Sequence, residues 1–150
     1  MRVTDMEYLI VRVTEENYPL FDEMVRRRTG RSEEASSVTP DIVRELSSPD
    51  LYLYAASVAD SFVGWISLVY IPKVGIWKGK GHIYVDELWV DPSYRGKGIA
   101  KALLSQADEL KSSLDAHGIR LYVSVDNPAA RSLYAQCGFI SSGETVFMEK

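Results

Sequence analysis

Cysteine is almost missing from this sequence: Cys137 is the single one in 150 residues. That excludes an internal disulfide framework and any zinc site built on cysteine. Histidine is nearly as scarce, with His82 and His117 alone and far apart, so no paired metal-ligand spacing exists and no metal is expected. An excess of positive charge is lacking too, since 17 Lys+Arg face 21 Asp+Glu for a net charge of −4. Such a balance provides no general attraction to nucleic acid or to an anionic membrane. Long apolar runs are missing as well; the stretch from Trp65 to Ile71 falls well short of the ~18 residues a membrane helix needs, and Pro72 follows it. No charged-then-apolar region opens the chain, where Asp5 and Glu7 are acidic, so a soluble, reducing, cytoplasmic setting is expected. Repeats, linkers and low-complexity tracts are also lacking. A chain this long is expected to form one domain, residues 1–150, that buries roughly 70% of its unfolded surface.

What is present is an alternation of apolar runs and helical patterns. Leu9 to Val13 reads as a strand. Thr14 followed by Glu15 and Glu16 reads as a helix start, and that helix carries Tyr18, Phe21, Met24 and Val25 inward and stops at Gly30. Arg26, Arg27 and Arg28 put cations at its C-terminal end, where the helix dipole favours them. A polar loop including Arg31-Ser32-Glu33-Glu34 leads to Thr39-Pro40, the cap of a short helix through Leu46. Leu51–Val58 and Phe62–Ile71 read as a hairpin, His82–Val90 as the next strand, and residues from Gly98 to a stop at Gly118 as the longest helix. A strand over Leu121–Val125, a helix from Asn127-Pro128 to Gly138, and closing strands over Phe139–Met148 complete the pattern. The fold class expected is mixed α/β (α+β) on a mostly antiparallel sheet.

One segment carries chemistry. The strand ending Val85-Asp86-Glu87-Leu88-Trp89-Val90 runs through Asp91-Pro92-Ser93-Tyr94 into Arg95-Gly96-Lys97-Gly98, and directly on into the long helix at Ile99-Ala100. Glycines let the backbone turn tightly against a ligand, and the first turn of a helix offers unpaired N–H donors and partial positive charge. With Arg95, Lys97 and Lys101 added, the segment is an anion cradle suited to phosphate or pyrophosphate. A P-loop does not fit, because Gly-Lys-Ser/Thr is missing. A dinucleotide fingerprint fails at its third small position, which is Lys101. A plain structural turn before a helix is the remaining alternative.

Arg95, Gly98 and Ala100 satisfy the pattern Arg-x-x-Gly-x-Ala, which resembles the coenzyme A pyrophosphate loop of the GNAT superfamily of N-acetyltransferases. A second stretch, Asn127-Pro128-Ala129-Ala130-Arg131-Ser132-Leu133-Tyr134-Ala135-Gln136-Cys137-Gly138-Phe139, resembles that family's other motif, Asn-x-x-Ala…Tyr…Gly-Phe. Ala130 and Tyr134 are four apart and share a helix face. Taken alone, Tyr134 also reads as a core aromatic with its hydroxyl at the rim.

The resemblance covers Val85 to Phe139 closely and the earlier residues in element order only. It implies a GNAT fold, a sheet of six to seven strands flanked by about four helices, with acetyl-coenzyme A as co-substrate. It implies that Leu88, Trp89 and Val90 line the pantetheine arm and that Arg95, Gly96, Lys97, Gly98, Ile99, Ala100 and Lys101 hold the pyrophosphate. Asn127, Ala130 and Tyr134 would complete the cofactor site. An amine must lose a proton before it attacks, so a base is needed. Strand alternation sends Asp86 and Glu87 to opposite faces, so at most one serves; Glu87, which precedes the cleft-lining Leu88-Trp89-Val90 segment, is the favoured one and Asp86 the reserve. Tyr134 would protonate the leaving thiolate. The acceptor expected is a small-molecule or peptide amine, and homodimers are common in the family. The alternative function is a non-catalytic coenzyme A or nucleotide-binding module. Cys137 reads as structural, with no histidine beside it in sequence. Lys78-Gly79-Lys80-Gly81 leads into a strand rather than a helix and reads as a connection. Tyr52, Tyr54, Trp65, Tyr70 and Trp77 read either as sheet-face aromatics or as the walls of an acceptor pocket.

Overall fold

The computed structural model describes residues 6–31, 37–77 and 79–150. The expectations that fall on residues 1–5, on Ser32-Glu33-Glu34 and on Lys78 lie outside the described residues. Five strands and four helices follow in the order β1 (Leu9–Arg12), α1 (Tyr18–Thr29), α2 (Pro40–Leu46), β2 (Leu51–Val58), β3 (Ser61–Ile71), β4 (His82–Val90), α3 (Ile99–Leu114), β5 (Gly118–Arg120) and α4 (Pro128–Gln136). The strands lie side by side in chain order, antiparallel except for the parallel pair β4–β5. This mixed α/β arrangement is the class expected, with five strands among the described residues rather than six to seven.

The sheet is packed on both faces. On one, Ile99, Leu103, Leu104, Ala107 and Leu110 of α3 cover Ile66, Leu68, Ile83 and Val85. These α3 positions recur at three- and four-residue steps, the stripe that a helix needs to lie on a sheet. On the other face, Met24 of α1 is buried with Val13, Ala55, Phe62 and Trp65, and Tyr18, Phe21 and Val25 pack around them. The β2–β3 turn places Ala59 and Asp60 at φ of 45° and 64°, the left-handed pair of a two-residue hairpin turn.

Two helix ends and two expected strands differ most from expectation. Helix α1 starts at Tyr18, not after Thr14. Pro19 has no N–H to donate, so it is tolerated only in a first turn, and a start at Glu15 would place it deeper. Asn17 instead pins the entry: its Oδ1 accepts the Thr14 N–H at 2.8 Å, and its Nδ2 donates to the Arg12 carbonyl at 3.0 Å. Helix α3 ends at Leu114, closed by Asp115 at φ 50°, so Gly118 opens β5 rather than ending the helix. The strand expected over Leu121–Val125 is not formed; β5 stops at Arg120. Nor are the closing strands over Phe139–Met148. Leu121 and Phe139 at the start of each segment pack against the core, but beyond them the apolar side chains are largely exposed, with Val125 76% and Phe147 76% exposed. β propensity reports fit to a half-buried surface beside a partner strand, and here no ladder supplies one.

Candidate active site

The site begins where β4 loses a neighbour. Pairing between β4 and β5 ends at Tyr84↔Arg120, while β4 continues to Val90. On its other edge β4 stays paired to β3, with Trp65↔Trp89 and Gly64↔Val90, and the Asp91 N–H donates to the Val63 carbonyl at 2.8 Å. Antiparallel ladders alternate, so Trp89 and Asp91 turn their main-chain groups toward β3. Those of Leu88 and Val90 turn outward, to the edge that β5 has left.

Past this edge the chain makes a tight turn. Asp91 Oδ1 accepts the Ser93 N–H at 2.9 Å and starts a short 3-10 turn over Pro92–Tyr94. Gly96 and Gly98 then lie at φ 74° and 83°, left-handed backbone that side-chain-bearing residues rarely adopt. Gly98 caps α3, and the first bond along the helix runs from the Ala102 N–H to the Gly98 carbonyl at 3.0 Å. The N–H groups of Ile99, Ala100 and Lys101 lie ahead of that bond and point out of the helix mouth. Arg95 donates from Nε to the Val90 carbonyl at 2.9 Å, tying the turn to the end of β4. Its guanidinium is thus anchored at the cleft rather than loose in solvent.

Helix α4 forms the far wall. Asn127 caps it by accepting the Ala130 N–H on Oδ1 at 3.1 Å. Tyr134 is half-buried, its ring edge-on to Phe139 at 5.8 Å, and burial raises its phenol above the ordinary tyrosine value. Between these walls lies a cleft of about 590 Å³. Leu88, Trp89, Val90, Arg95, Gly96, Gly98, Ile99, Ala100, Lys101, Asn127, Ala130 and Tyr134 all line it. Lys97 and Glu87 are not among the lining residues. Tyr94, Ala129 and Leu133, which sequence reasoning passed over, are. Leu133 was within reach of it, three positions after Ala130 on the same helix face.

Glu87 faces the other way, toward α1. A register shift between Ser67 and Leu68 leaves Asp86 without a cross-strand partner, and Glu87 falls on the Trp65 and Trp89 side. Trp65 donates from Nε1 to Glu87 Oε2 at 3.2 Å, and the two indole rings are 5.1 Å apart. Arg28 of α1 lies over both rings, 4.9 Å from Trp65 and 5.4 Å from Trp89, with Nη1 3.9 Å from Glu87 Oε2. Of the other aromatics, Trp65 is core, Tyr52 and Tyr54 carry the Arg12 guanidinium, and Trp77 is exposed.

With this geometry in view, the chain's likenesses are specific. The profile of the acetyltransferase (GNAT) family matches residues 12–139. The chain belongs to the GNAT acetyltransferase family. It is 39% identical over 61 residues to the spermidine N(1)-acetyltransferase of Vibrio cholerae, covering 40% of this chain and 35% of that one. It is 33% identical over 104 residues to the streptothricin acetyltransferase of Escherichia coli, covering 69% of this chain and 56% of that one. The match therefore spans about half or less of these relatives' own lengths. In fold, the GNAT chain resembles the aminoglycoside N-acetyltransferase AAC(6')-Iy solved with CoA, at a TM-score of 0.79 and 13% identity, covering 100% of this chain and 99% of that one. Among the described residues of this GNAT chain no group of three or more His, Cys, Asp or Glu could hold a metal, and no helix is long and apolar enough to cross a membrane.

Proposed function

We propose that this chain is an acetyl-coenzyme A-dependent N-acetyltransferase, a single domain over residues 1–150, that acetylates a primary amine by direct attack in a ternary complex. The observation that carries the reading is the continuity of the cleft. An outward strand edge at Leu88 and Val90 leads straight to the basic, N–H-rich mouth of α3, with Tyr134 across from it. An amide-bearing arm that ends in pyrophosphate fits both halves: the strand edge matches amides, and the helix mouth with Arg95 and Lys101 matches the anion. Acetyl-coenzyme A supplies the activated acyl group when bound.

The chain's own residues do the rest. An outward β4 N–H polarises the acyl carbonyl, a contribution of roughly 3 kcal/mol in comparable acyl transfers. Glu87, on the α1 side of β4 and outside the cleft lining, takes the proton from the acceptor nitrogen through water. Tyr134 keeps its proton at neutral pH as an ordinary phenol does, burial holding it more firmly still, and delivers it to the departing sulfur. The acceptor is a small-molecule or peptide amine, and the setting is cytoplasmic.

The purified chain is expected to release free thiol from acetyl-coenzyme A when offered a panel of amines. Coenzyme A binding without any thiol release would leave only a binding module. In Tyr134→Phe at saturating acetyl-coenzyme A, turnover is expected to fall about 100-fold. An unchanged rate removes the tyrosine from the chemistry.

A further inference from the structure

The connection between β3 and β4 projects from the end of the sheet that the cleft does not use. Its base is the Ile71↔His82 pair, whereas the cleft opens at the other end of the same ladder, beside Gly64↔Val90. The base is tight: a Cβ on Gly81 would sit 2.8 Å from the Tyr70 hydroxyl and 2.9 Å from the Ile71 carbonyl oxygen. The tip is folded as well. A 3-10 turn covers Gly75–Trp77, with the Trp77 N–H donating to the Val74 carbonyl at 3.3 Å and the Lys80 N–H to the Trp77 carbonyl at 2.9 Å. Gly75 and Gly79, at φ 65° and 89°, give the left-handed backbone that so short a turn requires. On this preformed tip Val74 is 89% exposed, Ile76 91% and Trp77 62%, three large apolar side chains within four residues. Apolar groups shown to water side by side mark a contact surface rather than a solvated loop.

Charge around the tip has one sign. From Ser61 to Val85 the sequence carries Lys73, Lys78 and Lys80 and no Asp or Glu, so the net charge of −4 conceals a local cationic pole. Arg120, opposite Tyr84 on β5, adds a further cation near the base. Asp50 precedes β2 and Asp115 closes α3, so neither belongs to the projection. The apolar groups stand on a convex tip, and neither the cleft nor the smaller cavity beside α1 and α2 includes any of them. A protein partner would have to supply a pocket for such a tip. An anionic bilayer needs none: short apolar groups enter its headgroup region, an indole suits that boundary, and lysines stay level with the phosphates. We propose that the β3–β4 connection is a peripheral membrane anchor, in which Val74, Ile76 and Trp77 enter an anionic bilayer while Lys73 and Lys80 pair with lipid phosphates. The cofactor cleft, at the other end of the sheet, stays in water. The anchor does not depend on acetyl transfer.

The test mixes the full chain, at about 50 mM salt, with vesicles of phosphatidylcholine alone or with about one phosphatidylserine in four. Co-sedimentation measures partition, and a blue shift of tryptophan emission reports burial of Trp77. Partition into the anionic vesicles with a blue shift is expected, and at least about tenfold less into the neutral ones. Trp77→Ser should weaken anionic partition about tenfold. Trp77→Phe should keep the partition and lose most of the blue shift, which ties the signal to this side chain. Lys73→Gln together with Lys80→Gln should weaken anionic partition about twentyfold. All these positions are on the surface, so melting temperatures should stay within about 2 °C of the native chain, which separates lost binding from unfolding. No sedimentation with the anionic vesicles overturns the proposal, and so does equal partition into the neutral ones. Partition indifferent to Trp77→Ser does the same. So does self-association without lipid that Trp77→Ser abolishes, since a second copy would then cover the tip.

Discussion

Replacing Gly64 with alanine tests how the cleft is held open. Gly64 lies on β3 opposite Val90, and an added Cβ there would sit 2.8 Å from the Trp89 carbonyl oxygen and 3.3 Å from both Val90 Cα and Cγ2. Real Cβ atoms do not approach a backbone oxygen that closely, and backbone cannot rotate away as a flexible side chain can. Strand β4 must therefore shift, and the residues that shift are Trp89 and Val90 at the cleft. Overpacking of this kind costs about 1–3 kcal/mol. For a domain of this size each kcal/mol lowers the melting temperature by about 2–4 °C, so a fall of about 2–12 °C is expected. Gly118→Ala is the matched control, because that glycine has nothing within 4 Å of an added Cβ and no left-handed φ. It should be neutral or slightly stabilising, by up to about 1 kcal/mol, through the unfolded chain. Thermal unfolding and calorimetric titration with coenzyme A check both variants. Gly64→Ala should lose melting temperature and coenzyme A affinity together. Equal behaviour of the two variants would refute the argument that Gly64 is there for close strand approach.

Two further outcomes follow from named groups. Asn127→Ala removes the cap on α4, worth about 1 kcal/mol, and takes a polar group from the cleft wall. Melting temperature and coenzyme A affinity should both fall, whereas an unchanged melting temperature would mean the cap does not hold the helix. His82 is buried on β4 with no hydrogen-bond partner at Nδ1 among the described residues, and burial, then Arg120 and Lys73, lowers its pKa below 6.5. The fold thus favours the neutral ring. Below about pH 6.5 the unfolded chain binds the proton more readily, so stability is lost as pH falls from there toward the folded value. Urea midpoints at pH 7.5 and 5.5 should differ more for the native chain than for His82→Gln, and parallel behaviour would rule out His82 as the source.

The legible part of the site was the part written in adjacent residues. Arg95 to Lys101 is one turn running into one helix, and Asn127 to Tyr134 is one cap and two helical turns, so local spacing together with the family resemblance marked them. Their short-range geometry is fixed by caps, left-handed glycines and helix periodicity, all of which act over a few positions. The Thr39-Pro40 cap and the hairpin at Ala59-Asp60 were readable for the same reason. Lys97 sits within the motif but outside the cleft lining, since neighbours in a tight turn point in different directions.

Tertiary structure decided what depends on distant partners. Leu121–Val125 and Phe139–Met148 have the composition of strands, but a strand is stable only where a neighbouring ladder receives it, and here none does. The surroundings of Glu87 come from three separate elements: Arg28 from the end of α1, Trp65 from β3 and Trp89 from β4. No local pattern joins residues that far apart in the chain, because their meeting is set by sheet register and by how α1 crosses the sheet. The sequence by itself, through its two motifs, marked most of the residues that line the cleft and the family to which the chain belongs. Packing alone decided that the cation over the tryptophans is the chain's own Arg28.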